Sequence, residues 1–186
     1  SDEIHADLIL DQKLTHIPVA TLDPAIADRT ITLMAPSKTY NIAGLGCSFA
    51  VISNQQLRKK FQRAMARIVP HINVLAYSAA IAAYRYGKPW LQALLDYLRY
   101  NHDRTLAAVN AIPGLKMKPV EATYLAWIDA RALELESPAA FFEEGGVGFN
   151  NGSDFGLPGF VRLNFGCPRS LLDQGLARME KAVEQL

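Results

Sequence analysis

Hydrophobic positions change their spacing along the chain. Before Asn54 they come in short continuous runs, "TITLM" at residues 30–34 and "CSFAVIS" at residues 47–53, bounded by Pro36, Gly44, Gly46 and Asn54. Short apolar and β-branched runs between turn residues predict buried strands. The stretch "THIPVATLDPAI", residues 15–26, carries two prolines and predicts connecting loop. From Asn54 the period lengthens. "NQQLRKKFQRAMARI" places Leu57, Phe61, Ala64 and Met65 on one helical face behind an Asn54 cap. "VLAYSAAIAAYRYG" predicts a small-residue helix with Gly87 at the position after its C-cap. Pro89 suits a first helical turn, and Leu91, Leu94, Leu95, Leu98, His102, Leu106 and Val109 then recur at threes and fours. This longest helix stops at "PGLKMKP". "EATYLAWIDAR" and "FVRLNFG" predict strands, "SPAAFFEEGGV" a short helix capped by Ser137 with Pro138 first, and "NNGSDFGLPG" a loop. "SLLDQGLARMEKAVEQL" predicts a closing amphipathic helix. The alternation predicts α/β architecture, with a small α+β unit after about residue 54.

Composition narrows the function classes. The chain has 186 residues, half of them apolar, and a net charge of +1. That suffices for one sizeable core or two modest ones, and no basic excess points to nucleic acid. Cys47 and Cys167 fit neither a zinc spacing nor a disulfide framework, so reduced thiols, no metal and a cytoplasmic setting are expected. No run reaches the length of a membrane span, and no signal peptide is expected. His16 is expected in a loop, and His71 and His102 as packed or surface residues. The aromatic set Tyr77, Tyr84, Tyr86, Trp90, Tyr97 and Tyr100 reads as helix packing or a subunit interface as readily as a binding stripe.

One stretch stands apart. "APSKTYNIAGLG", residues 35–46, sets Lys38 between two runs expected to be buried. A lysine there is costly unless it is paired or chemically employed. Schiff-base chemistry with pyridoxal phosphate employs such a lysine. It also needs a carboxylate for the pyridine nitrogen, donors for the phosphate, and an arginine for the substrate carboxylate. Asp2, Ser37 and Arg162 supply those types. From these residues alone, a solvated strand-end lysine and a paired structural arginine remain the plainer alternatives.

Four segments carry the reading further: "SDEIHADL", "APSKTYNIAGL", "YLAWIDAR" and "GFVRLNFGCPRSLL". In this order they resemble the pyridoxal-phosphate C–S β-lyases of the MalY/PatB group, within the class I/II aminotransferase superfamily of fold type I. The resemblance implies that Lys38 forms the Schiff base and acts as general base. It implies that Asp2 pairs with the pyridine nitrogen, at the separation from Lys38 typical of the superfamily. His5 stands where many aminotransferases have a tyrosine on the cofactor's phenolic oxygen, and Ser37 matches a phosphate-holding hydroxyl. Arg162 matches the arginine that grips the substrate α-carboxylate, and Arg169 matches a position expected to be structural. Two positions depart from the superfamily pattern: Gly46 stands where a phosphate-binding arginine is frequent, and Ala35 where serine is frequent.

Family members are roughly twice as long. The resemblance therefore implies that the chain is a C-terminal half. Residues 1–53 would end the large cofactor domain, with its mostly parallel sheet, and residues 54–186 would supply linking helices and a small α+β domain. A missing N-terminal half would be required, and a homodimer is expected for the full-length protein. The implied reaction cleaves L-cystathionine or a related cysteine S-conjugate, a small amino-acid substrate, to a thiol, pyruvate and ammonia. The alternatives are an aminotransferase using the same residues, or a catalytically incomplete fragment acting as a structural or interaction module.

Overall fold

The two apolar runs near the start pair with each other. Strand β1 (Thr32–Met34) lies antiparallel to β2 (Phe49–Val51), with Leu33 opposite Ala50. The computed structural model describes residues 1–66 and 68–186, which divide into two compact units, Ser1–Leu94 and Leu95–Leu186. In the first unit the chain start runs parallel to β1. Leu33 N–H donates to the Ser1 carbonyl at 2.8 Å, and Glu3 N–H donates to the Leu33 carbonyl at 3.0 Å. Both strands were expected to be buried, yet Leu33, Phe49 and Val51 are exposed. A two-stranded ribbon covers one face only, so its other face meets solvent.

The proline-rich stretch is more ordered than a loop. Val19–Thr21 makes a 3-10 turn and Pro24–Ala27 forms the short helix α1. Asp23 accepts from the Ala25 N–H at 2.7 Å, and Pro24 enters the helix with its φ preset. Helix α2 (Gln55–Met65) begins where Asn54 Oδ1 accepts from Gln56 and Leu57 at 2.8 and 3.0 Å. Of its expected apolar face, Leu57 and Phe61 are half-buried while Ala64 and Met65 are exposed. Helix α3 (Val74–Tyr86), capped by Asn73, sets Ala76 and Ala80 against Cys47.

Gly87 does not take the left-handed conformation expected of a helix-terminating glycine; its φ is −77°. It is required for space instead. A Cβ there would collide with the Ala83 carbonyl oxygen and with the Tyr40 ring. Helix α4 (Lys88–Ala111) follows at once, with Pro89 in its first turn.

The second unit is built on an antiparallel sheet in the order β3-β4-β6-β5. The outer strands β3 (Lys116–Met117) and β5 (Asn150–Asn151) have two residues each, and flank β4 (Leu125–Asp129) and β6 (Phe160–Asn164). Alternation assigns the faces. Ala126, Ile128, Val161 and Leu163 are buried, whereas Trp127 and Arg162 occupy the other, more open face. Helices α5 (Pro138–Glu144) and α6 (Arg169–Glu184) complete the core with Phe142, Leu172, Leu176 and Met179. Ser137 caps α5 through the Ala140 N–H, as expected.

The buried stripe of α4 includes Leu98, Asn101, His102, Thr105 and Val109. Its polar members hold loops. Asn101 Nδ2 donates to the carbonyls of Phe165 and Cys167 at 2.8 and 3.0 Å, anchoring the chain just after β6. His102 Nε2 accepts from the Val120 N–H at 3.0 Å, which puts the ring proton on Nδ1, facing Asp103 at 2.9 Å. No helix among the described residues is long and apolar enough to cross a membrane.

Candidate active site

Lys38 sits on a tight turn directly after β1. Tyr40 N–H donates to the Pro36 carbonyl at 2.9 Å and Ile42 N–H to that of Ser37 at 3.1 Å, while Asn41 takes a left-handed φ of 55°. Pro36 and Thr39 point inward and are buried, Ser37 is half-buried, and Lys38 is exposed. Lys38 lies between two apolar runs without being enclosed by them: its neighbours take the buried positions and leave it facing outward, as a strand-end lysine would. The turn is held rigidly. Thr39 Oγ1 donates to Asp7 Oδ2 at 3.3 Å. The Tyr40 ring meets Tyr84 edge-on at 5.8 Å and Trp90 at 6.0 Å, in the notch left by Gly87. Burial, reinforced by the Asp7 carboxylate, raises the Tyr40 pKa and pushes that of Tyr84 up to about 12. Both phenols stay neutral at physiological pH.

Segment 1–7 follows the same edge, bringing Asp2, His5, Ser37 and Lys38 into one unit. Asp2 lies beside Leu33 in the parallel bridge, its side chain exposed and its Oδ1 accepting from the Ile4 N–H at 3.2 Å. Asp2, Leu33, Ala35, Ser48 and Phe49 line a hollow of about 250 Å³. His5 is half-buried.

Between Asp2 and His5 lies a carboxylate the sequence reading passed over. Glu3 is buried and accepts from Ser1 Oγ at 3.1 Å, from the Val19 N–H at 3.0 Å and from His16 Nε2 at 2.9 Å. Burial alone would raise its pKa, but the hydrogen bonds from His16, Val19 and Ser1 outweigh it and hold the carboxyl below its ordinary value of 4.5. A lowered folded pKa stabilises the fold fully above that ordinary value, and the contribution fades as pH falls through the folded one. Thermal melts between pH 6 and pH 3 are expected to show this loss in the parent, and Glu3→Gln is expected to flatten it.

Arg162 belongs to the second unit. In register it stands between Trp127 of β4 and Asn150 of β5. Its Nε and Nη2 both donate to Asn150 Oδ1, at 3.2 and 3.0 Å, and its guanidinium lies over the Phe155 ring at 4.3 Å. Trp127 meets Phe155 edge-on at 5.3 Å. The "GSDFG" segment, expected as part of a loop, contains a 3-10 turn (Gly152–Phe155) that presents this ring. Among the described residues no carboxylate reaches Arg162. Neither Asn150 nor Phe155 was singled out by sequence reasoning; a cross-strand pairing between residues 150 and 162 leaves no periodic signal.

The other arginines in the motifs have structural partners. Arg169 spreads over Tyr97 and Tyr100 at 4.4 and 4.0 Å, joining the start of α6 to α4. Arg131 is gripped by both oxygens of Asp129, at 2.9 and 2.8 Å, and lies over Phe160.

The family model for aminotransferase class I and II matches residues 1–179, nearly the whole of both units. The chain belongs to that family. It is 38% identical over 190 residues to cystathionine beta-lyase PatB of Bacillus subtilis (strain 168), covering 98% of this chain and 49% of the relative. The crystal structure of OvoB is 55% identical, with a TM-score of 0.96, over 98% of this chain and 48% of that one. The crystal structure of cystalysin from Treponema denticola, described as containing a pyridoxal 5'-phosphate cofactor, is 34% identical with a TM-score of 0.91. It is matched over 100% of this chain and 48% of its own. The family member described here thus spans about half the length of the relatives it matches, and its mixed α/β fold is that of fold type I enzymes.

Proposed function

We propose that this chain carries the reacting lysine and the carboxylate-binding arginine of a pyridoxal-phosphate-dependent carbon–sulfur β-lyase. The observation that carries the reading is the setting of Lys38: exposed on a turn held by backbone hydrogen bonds and by its neighbours Thr39 and Tyr40, so the root of its side chain is held in place. The names of the similar proteins PatB and cystalysin support the same chemistry. The residues fit the cofactor. Lys38 would hold its aldehyde, and Asp2, with Oδ1 engaged by Ile4, would turn Oδ2 to the ring N–H. His5 and Ser37 would serve its ring oxygen and phosphate. The cofactor, when bound, supplies the electron sink that stabilises negative charge at the substrate Cα.

The chain's own residues then have distinct tasks. Arg162 orients the substrate by a two-pronged grip on its α-carboxylate. Lys38 Nζ, as the free amine, takes the Cα proton and can return it to the departing sulfur. The Cβ–S bond breaks with its electron pair on sulfur. With one water consumed, the products are a thiol, pyruvate and ammonia. We further propose a homodimer in the cytoplasm, with residues 1–53 serving the cofactor domain and residues 54–186 the linking helices and small domain.

Incubating the cofactor-loaded full-length protein with L-cystathionine is expected to release homocysteine, pyruvate and ammonia in equal amounts. An aminotransferase would instead yield an oxo acid with its C–S bond intact and no thiol, which would overturn the lyase reading. Arg162→Ala is expected to raise KM for cystathionine about a hundredfold, the usual consequence of removing one partner of a desolvated charge pair.

A further inference from the structure

We propose that Asn150 is the positioning residue that decides which edge of Arg162 meets the substrate carboxylate; this rests on the assignment of Arg162 above. A guanidinium offers two forked edges, one side-on through Nε and Nη2, the other end-on through Nη1 and Nη2. Asn150 Oδ1 occupies the side-on edge, accepting from Nε at 3.2 Å and from Nη2 at 3.0 Å. Phe155 covers one face of the plane at 4.3 Å, and is itself braced by Trp127 at 5.3 Å. Two N–H groups on Nη1 and the second on Nη2 are then the ones presented to an incoming anion. The partner matters chemically. An amide oxygen holds the guanidinium without neutralising it, whereas a carboxylate at the same place would compete with the substrate for the charge. The β5–β6 register places residue 150 directly opposite residue 162, so backbone pairing keeps the amide at this edge.

The test needs no turnover. Binding of 3-(methylthio)propanoate and of its amide to the cofactor-loaded protein is measured by calorimetry for the parent, Asn150→Ala, Asn150→Asp and Arg162→Ala. Asn150→Ala is expected to weaken the carboxylate about tenfold, the scale of one hydrogen bond to a charged group, and to leave the amide within about twofold. Asn150→Asp keeps the acceptor and the fold but adds a negative charge, and is expected to weaken the carboxylate further, with partial recovery at high salt. If Arg162→Ala weakens the carboxylate while both Asn150 variants bind it like the parent, the positioning role is overturned and the arginine assignment stands. If Arg162→Ala itself binds the carboxylate normally, the arginine assignment falls and the Asn150 role with it. Equal weakening of carboxylate and amide in the Asn150 variants would mark a merely structural residue and also overturn the proposal.

Discussion

Lys38→Ala is expected to abolish pyruvate release from cystathionine, by about a thousandfold or more, because it removes both the covalent anchor and the base for the Cα proton. The fold should be indifferent. Lys38 is exposed, and Pro36, Thr39 and Tyr40 hold the turn, so the melting curve is expected to change by less than about 0.5 kcal/mol. Lys38→Arg keeps the positive charge but never offers a neutral amine, and is expected to be as inactive as the alanine variant. An active Lys38→Arg enzyme would remove the lysine from the chemistry. Measuring pyruvate alongside a thermal melt separates loss of function from loss of fold.

The second large effect is expected at Gly152, which starts the turn that carries Phe155. A Cβ at this buried position would run into the carbonyl oxygens of Leu157 and Phe160. Both obstacles are backbone, and one of them belongs to β6, so no rotamer change relieves the clash. Gly152→Ala is therefore expected to destabilise the second unit by about 3 kcal/mol, read by denaturant unfolding. It should also raise KM, since the Phe155 ring loses its place beneath Arg162. Gly148→Ala, where nothing lies within 4 Å of the added carbon, is the matched control and should leave both quantities near parent values.

Much of this fold was legible along the chain because its larger elements repeat with their own period. The stripe from Leu91 to Val109 describes α4, and the alternation in "LAWID" and "FVRLN" separates buried Ala126, Ile128, Val161 and Leu163 from Trp127 and Arg162. The caps at Asn54 and Ser137 depend on neighbours two or three residues away, so sequence shows them directly. Strands β3 and β5 are different. Two residues carry no period, and what makes Met117 a strand residue is its pairing with Ile128 and the Asn110 side chain that bonds its N–H and carbonyl at 2.9 and 3.1 Å. Gly87 was read as a conformational glycine, but its role depends on Tyr40, a residue distant in sequence.

The candidate site divides along the same line. Lys38, Asp2, Ser37 and Arg162 stood out by residue type with plainer alternatives open, whereas their roles, and His5, came from resemblance to a family through ordered motifs. The groups that set their environment are long-range: His16 on Glu3, Tyr84 on Tyr40, Asn150 and Phe155 on Arg162. None of these pairs shares a short motif: Asn150 meets Arg162 through strand register, and the others meet only once turns and helices have packed.

The most direct test of the lysine assignment is to reduce the intact protein with borohydride in the presence of pyridoxal phosphate, then map the added mass by peptide mass spectrometry. One adduct per chain, on Lys38, is expected. Adducts scattered over other lysines, with Lys38 unmodified, would contradict the proposal that this turn presents the reacting amine.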